Sequence, residues 1–117
     1  MGEQSFTVKG QPVPWKRTQG AGKRRYTHPQ YRAWKGLIQV AARAARIACI
    51  EGPVCLEVEA RVGNRKFADV DNLAKAVLDA LEGIAYANDR QVCELHATRV
   101  LDREAPRLCV TIREVAG

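Results

Sequence analysis

The sequence predicts one α+β domain, a mixed sheet of about four strands with two main helices packed on it. Three observations carry this. Short runs at Ser5 to Lys9, Val54 to Val62, Gln91 to Val100 and Leu108 to Ile112 alternate apolar and polar residues, as half-buried strands do. Two longer runs between them repeat apolar residues every three or four positions, the helical spacing. The 117 residues contain no internal repeat or linker, so residues 1–117 are read as a single domain around one core. Strand, helix, strand, helix, strand, strand is the order of a helical layer on a sheet.

In the first strand Phe6 and Val8 alternate with Ser5, Thr7 and Lys9, and Gly10 with Pro12 and Pro14 ends it. Residues 15–27 are polar, basic and glycine-containing, with Trp15 and Tyr26 near the edges and no periodic apolar face. They are expected to form a loop that is mobile without a ligand. Pro29 suits the first position of a helix, and Tyr31, Trp34, Ile38, Ala41, Ala45 and Ala48 mark one buried face running to about Ile50, before Gly52 and Pro53. Val54 to Val62 alternates most cleanly, with Glu57 and Glu59 on its polar side. The next helix buries Leu73, Val77, Ala80 and Leu81, and Gly83 offers its cap. Cys93, Leu95 and Ala97 form the more apolar side of the third strand, and Leu108, Val110 and Ile112 that of the fourth.

Composition narrows the function. The net charge is +6, yet from Gln4 to Ile50 there is no Asp or Glu, while Lys9, Lys16, Arg17, Lys23, Arg24, Arg25, Arg32, Lys35, Arg43 and Arg46 all fall there. Apart from Glu3, the acids follow from Glu51 onward. A one-sided basic half is the footprint of a polyanion partner, and a solvated basic face is the plainer alternative. No apolar run approaches the roughly 20 residues that span a bilayer, and no secretory pattern opens the chain, so a cytoplasmic location without a membrane partner is expected. The four cysteines, Cys49, Cys55, Cys93 and Cys109, lack zinc or redox spacing and are expected mainly as small buried apolar residues.

The chemistry concentrates between Asp69 and Asp89. Asp69 and Asp71 stand one residue apart at a helix start, Lys75 follows four residues later, and Asp89 lies beyond the helix end. Magnesium takes oxygen ligands and keeps several waters, so a few carboxylates with a substrate phosphate suffice to hold it. Such a site can activate water against a phosphodiester. The same residues also fit a helix whose first acids cap it and favour its dipole, together contributing about 1–2 kcal/mol. Lys75 could equally pair with Asp71 or Asp79 along the helix surface. Spacing alone leaves both readings open.

The run Asp69-Val70-Asp71-Asn72-Leu73-Ala74-Lys75, then Leu78-Asp79-Ala80-Leu81, then Asn88-Asp89-Arg90-Gln91-Val92, resembles the signature of the RusA family of Holliday junction resolvases. Gly10 to Pro14 and the helix carrying Tyr31 and Trp34 are similar to that family as well. The resemblance implies a RusA-like fold and a homodimeric endonuclease that resolves four-way DNA junctions by paired symmetrical cleavage in recombination and repair. It implies magnesium as cofactor, with manganese as a substitute. It also implies Asp69, Asp71, Asp89 and Lys75 as the catalytic set, the three aspartates being the metal ligands. Asn88 stands where many members carry a second acid. In that setting Lys75 would neutralise charge developing on the scissile phosphate. Lys16, Arg17, Lys23, Arg24 and Arg25 of the basic loop, with Arg99, are the candidate DNA contacts, and Trp15 and Tyr26 could stack on exposed bases. The competing functions are a basic DNA-binding protein without catalysis and a metal-dependent hydrolase of another phosphate ester.

Overall fold

A computed structural model describes residues 3–12, 29–64 and 69–115. The elements are β1 (Gln4–Lys9), α1 (Pro29–Ala44), β2 (Val54–Val62), α2 (Val70–Leu81), a 3-10 turn (Asp89–Gln91), β3 (Val92–Leu101) and β4 (Arg107–Glu114). The sheet order is β1-β4-β2-β3. β1 pairs with β4 and β4 with β2 in antiparallel fashion, whereas β2 and β3 are parallel. This is the four-stranded mixed sheet with two helices that the alternation predicts.

The parallel pair needs a crossover, and α2 is that crossover. The chain leaves the end of β2, runs back along α2 and enters β3 beside the start of β2. The N-terminus of α2 therefore lies at the C-terminal ends of both strands, and its C-terminus lies at their beginnings.

Strand alternation sends one set of side chains to a single face. Phe6, Val8, Leu56, Val58, Ala60, Leu108, Val110 and Ile112 are buried there against Tyr31, Trp34, Ile38 and Ala42 of α1 and Leu73, Ala76, Val77 and Ala80 of α2. The helices pack on each other, α1 also against β1 and α2 against β2 and β3. The Tyr31 hydroxyl ties them by donating to Asp79 Oδ2 at 3.1 Å. Burial, reinforced by the Asp79 carboxylate, pushes the Tyr31 pKa far up, so the phenol remains a donor. The opposite face of the sheet carries Glu57, Glu59, Arg61 and Thr111, and neither α1 nor α2 lies on it.

Three expectations are corrected. α1 stops at Ala44 instead of near Ile50, because Arg46 takes a left-handed backbone with φ 57°. Arg46 N–H then donates to Arg43 O and Ile47 N–H to Ala42 O, closing the helix end. Ala45 and Ala48 are consequently exposed, and Ala42 occupies the buried face. Of the cysteines only Cys55 is buried; Cys49 and Cys93 are exposed. Leu95 is 43% exposed, since β3 is the last strand of the sheet and α2 covers only part of it.

The turn from β3 to β4 is built on Asp102. Its carboxylate accepts from Ala105 N–H at 3.0 Å, Arg61 Nε at 3.0 Å and Arg107 Nη1 at 3.1 Å, while Arg61 also pairs with Glu59 at 2.6 Å. The Ala105 amide first, and then the Arg61 guanidinium, lower its pKa to about 2 from 3.8. The folded-state pKa lies below the unfolded one, so this stabilisation is complete above about pH 4 and is lost as pH falls towards 2. Asp102→Asn is expected to flatten that acid limb. Denaturant midpoints recorded between pH 5 and 2 should fall less steeply for the variant than for the parent chain, and equal slopes would discount the Asp102 network.

Candidate active site

Asp69 occupies the N-cap position of α2 with extended backbone, φ −70° and ψ 144°, and its carbonyl accepts the first helical bond from Leu73 N–H at 3.1 Å. Its carboxylate makes no capping hydrogen bond. Capping therefore does not account for this acid. Asp71 follows in the first turn, and both residues are exposed. Because the crossover brings this helix end to the C-terminal half of β3, Asp69, Val70 and Asp71 face Ala97, Thr98 and Arg99 across an open groove of about 620 Å³. Lys75 is exposed one turn further along α2.

The groove combines two carboxylates with an arginine and a helix N-terminus. The carboxylates attract a cation, whereas the guanidinium and the positive helix end attract an anion. A cation bridged to a phosphate satisfies both. Magnesium needs only one or two protein carboxylates when water and phosphate complete its octahedron, so the Asp69 and Asp71 pair fits that ion. Among the described residues no three His, Cys, Asp or Glu side chains gather closely enough to hold a metal.

Asp89 is not brought to this groove within the chain. It opens the 3-10 turn before β3, at the other end of α2, where its N–H donates to Glu82 Oε2 at 3.0 Å. The ten helical steps from Asp71 to Leu81 put on the order of 15 Å of helix between the two places. Asp89 has acidic company there: buried Tyr86 has its pKa raised by burial and then by the nearby Asp89, Glu82 and Asp79 carboxylates. The Tyr86 hydroxyl donates to Leu78 O at 2.8 Å, fixing the helix end.

Two residues around Asp89 have roles that the sequence reading did not assign. Asn88 caps the turn, its Oδ1 accepting from Arg90 N–H at 2.8 Å. Gln91 completes a capping box and anchors it: Oε1 accepts from Ala87 N–H at 2.9 Å and Asn88 N–H at 3.1 Å, while Nε2 donates to Ile50 O at 2.7 Å and Gly52 O at 3.0 Å. The spacing of Asn88 and Gln91 was the signal available for it. Asn88 thus has a structural task that an acid at the same position, also an acceptor, can perform.

Arg99 is the one DNA-contact candidate whose place is described. Lys16, Arg17, Lys23, Arg24 and Arg25 lie outside the described residues, as does the whole 15–27 loop. Of the remaining basic half, Arg32, Arg43 and Arg46 are exposed along and after α1. His96 lines a separate, smaller cavity on the sheet face opposite the two helices, with Glu57, Glu59, Cys109 and Thr111. No helix among the described residues is long and apolar enough to cross a membrane.

Comparison with known proteins places this geometry in context. A family model described as endodeoxyribonuclease RusA matches residues 6–113. The chain is also similar to the uncharacterized protein YqaN of Bacillus subtilis (strain 168), with 30% identity over 140 aligned positions that cover 96% of this chain and 96% of that protein.

Proposed function

We propose, from the premise that the chain belongs to the RusA family of endodeoxyribonucleases, that it is a magnesium-dependent, structure-selective nuclease. In this reading it resolves four-way DNA junctions as a homodimer by paired symmetrical cleavage, serving recombination and repair. The observation that carries the proposal is the groove in which Asp69 and Asp71 oppose Arg99 at the start of α2. Asp69 and Asp71 would hold magnesium, with manganese as a substitute, and Asp89 is the third acid of the set. When bound, the ion supplies Lewis-acid stabilisation of charge on the scissile phosphate.

The chain's own groups divide the remaining work. Arg99, on the β3 wall, offers paired donors to phosphate oxygens and so sets the backbone's position against the carboxylates. The α2 N-terminus adds its partial positive charge from below. Lys75, a turn further on, can meet negative charge developing on the leaving side. Lys16, Arg17, Lys23, Arg24 and Arg25 would supply salt-sensitive, sequence-independent grip on the arms of the junction.

The test is incubation with a synthetic four-way junction and magnesium. Paired symmetrical nicks that disappear with EDTA are the expected result. Binding without nicks in either magnesium or manganese would overturn the proposal and leave a non-catalytic DNA-binding protein. Cleavage of simple phosphate esters but not of junctions would assign a different hydrolase.

A further inference from the structure

α1 carries two apolar seams, and the core uses only one of them. The first, Tyr31, Trp34, Ile38 and Ala42, is buried in the core. The second, Ala33, Leu37, Val40 and Ala44, repeats at intervals of four, three and four residues, the spacing by which one helix seats against another. All four of its residues are exposed. Leu37 at 54% and Val40 at 64% are the most exposed large apolar side chains among the described residues.

The turn of the helix fixes where this seam looks. Tyr31 meets α2 through Asp79, and Gln39 meets it through Nε2, which donates to Ala80 O at 3.3 Å. At about 100° per residue, the mean direction of Ala33, Leu37, Val40 and Ala44 falls on the opposite side of α1 from those two residues. The second seam is therefore turned away from α2 and from the groove at its N-terminus.

Its surroundings select the occupant. α1 contains no acidic residue. Arg43 follows Val40 by about one turn and Arg32 precedes Gly36 by about one turn, so both border one flank of the seam, and both are exposed. Apolar side chains on an occupant would fill the seam, while carboxylates on its flank would meet the guanidinium groups.

Two other occupants fit less well. A second copy of α1 would bring arginines from both chains to one interface with no carboxylate between them. The strip, about 16 Å long on a helix about 10 Å across, covers on the order of 160 Å², against roughly 800 Å² per partner in a stable interface. DNA phosphates would reward the arginines but leave Leu37 and Val40 in water. A short amphipathic helix, by contrast, needs only a few anchors at this spacing.

We propose that Ala33, Leu37, Val40 and Ala44 form a docking seam for an acidic amphipathic helix of another protein, held transiently on the side of α1 away from the Asp69 and Asp71 groove. Docking there leaves the groove open.

Two synthetic peptides test this, each stapled into a helix with leucines at the same spacing, one flanked by Glu and the other by Lys. Fluorescence anisotropy with the full chain is expected to show the Glu peptide binding about tenfold or more tighter than the Lys peptide. Leu37→Gln/Val40→Gln should weaken the Glu peptide about tenfold or more. Arg43→Glu should reverse the preference between the two peptides, a readout that a merely structural effect would not produce. Junction binding by Leu37→Gln/Val40→Gln should match that of the parent chain. Absent binding of the Glu peptide, or equal binding of both peptides, overturns the proposal. Weakened junction binding by the double variant also overturns it and gives the seam to DNA. Association of the parent chain in sedimentation that the double variant abolishes overturns it as well, and gives the seam to a second copy.

Discussion

Asp71→Asn is expected to lower junction cleavage by about 10²–10³-fold or more while leaving junction binding nearly unchanged. The substitution keeps the size of the side chain and removes the charge that a magnesium ion requires. Asp71 is exposed in the first turn of α2, so the cost in stability should stay within about 0.5 kcal/mol. Single-turnover cleavage, a gel-shift titration and a thermal melt on the same preparation separate these quantities. Retained cutting would remove Asp71 from the proposed site, whereas lost binding would recast it as a group that shapes the DNA surface.

Gln91→Ala should have the largest structural effect among the residues around Asp89. One side chain there serves two amides and two carbonyls and joins the turn before β3 to the segment before β2. At about 0.5–1.5 kcal/mol net per hydrogen bond, with some of the freed groups reaching water, a loss of about 2–4 kcal/mol is expected in urea unfolding. Gln91→Glu should fall between, since a carboxylate still accepts from Ala87 and Asn88 but cannot donate to Ile50 or Gly52. A variant as stable as the parent chain would show that water replaces the anchor. If Asp89 acts at the metal, cleavage measured where both proteins are folded should also drop for Gln91→Ala.

β2 and α2 were readable from sequence because their signals are redundant. Every second residue of β2 from Val54 to Val62 is buried, and the predicted core positions Leu73, Val77, Ala80 and Leu81 of α2 are all buried. The end of α1 was not, because alanines around residues 41–48 fit either side of a helix and Arg46 gives no residue-type warning of a left-handed backbone. Leu95 and Cys93 were misjudged for a different reason: alternation identifies a strand but not whether another element covers it. The Asp69 and Asp71 pair is local and could be read directly from spacing. Where Asp89 stands relative to them depends on β2 and β3 running parallel, a long-range property that no short pattern contains.

The place of β4 makes it the closing element of the sheet. β1 pairs with β4, and β4 in turn pairs with β2, so the first strand joins the sheet only once residues 107–114 are available. A nascent chain would therefore hold β1 waiting for a strand about a hundred residues later, the kind of distant pairing that slows folding.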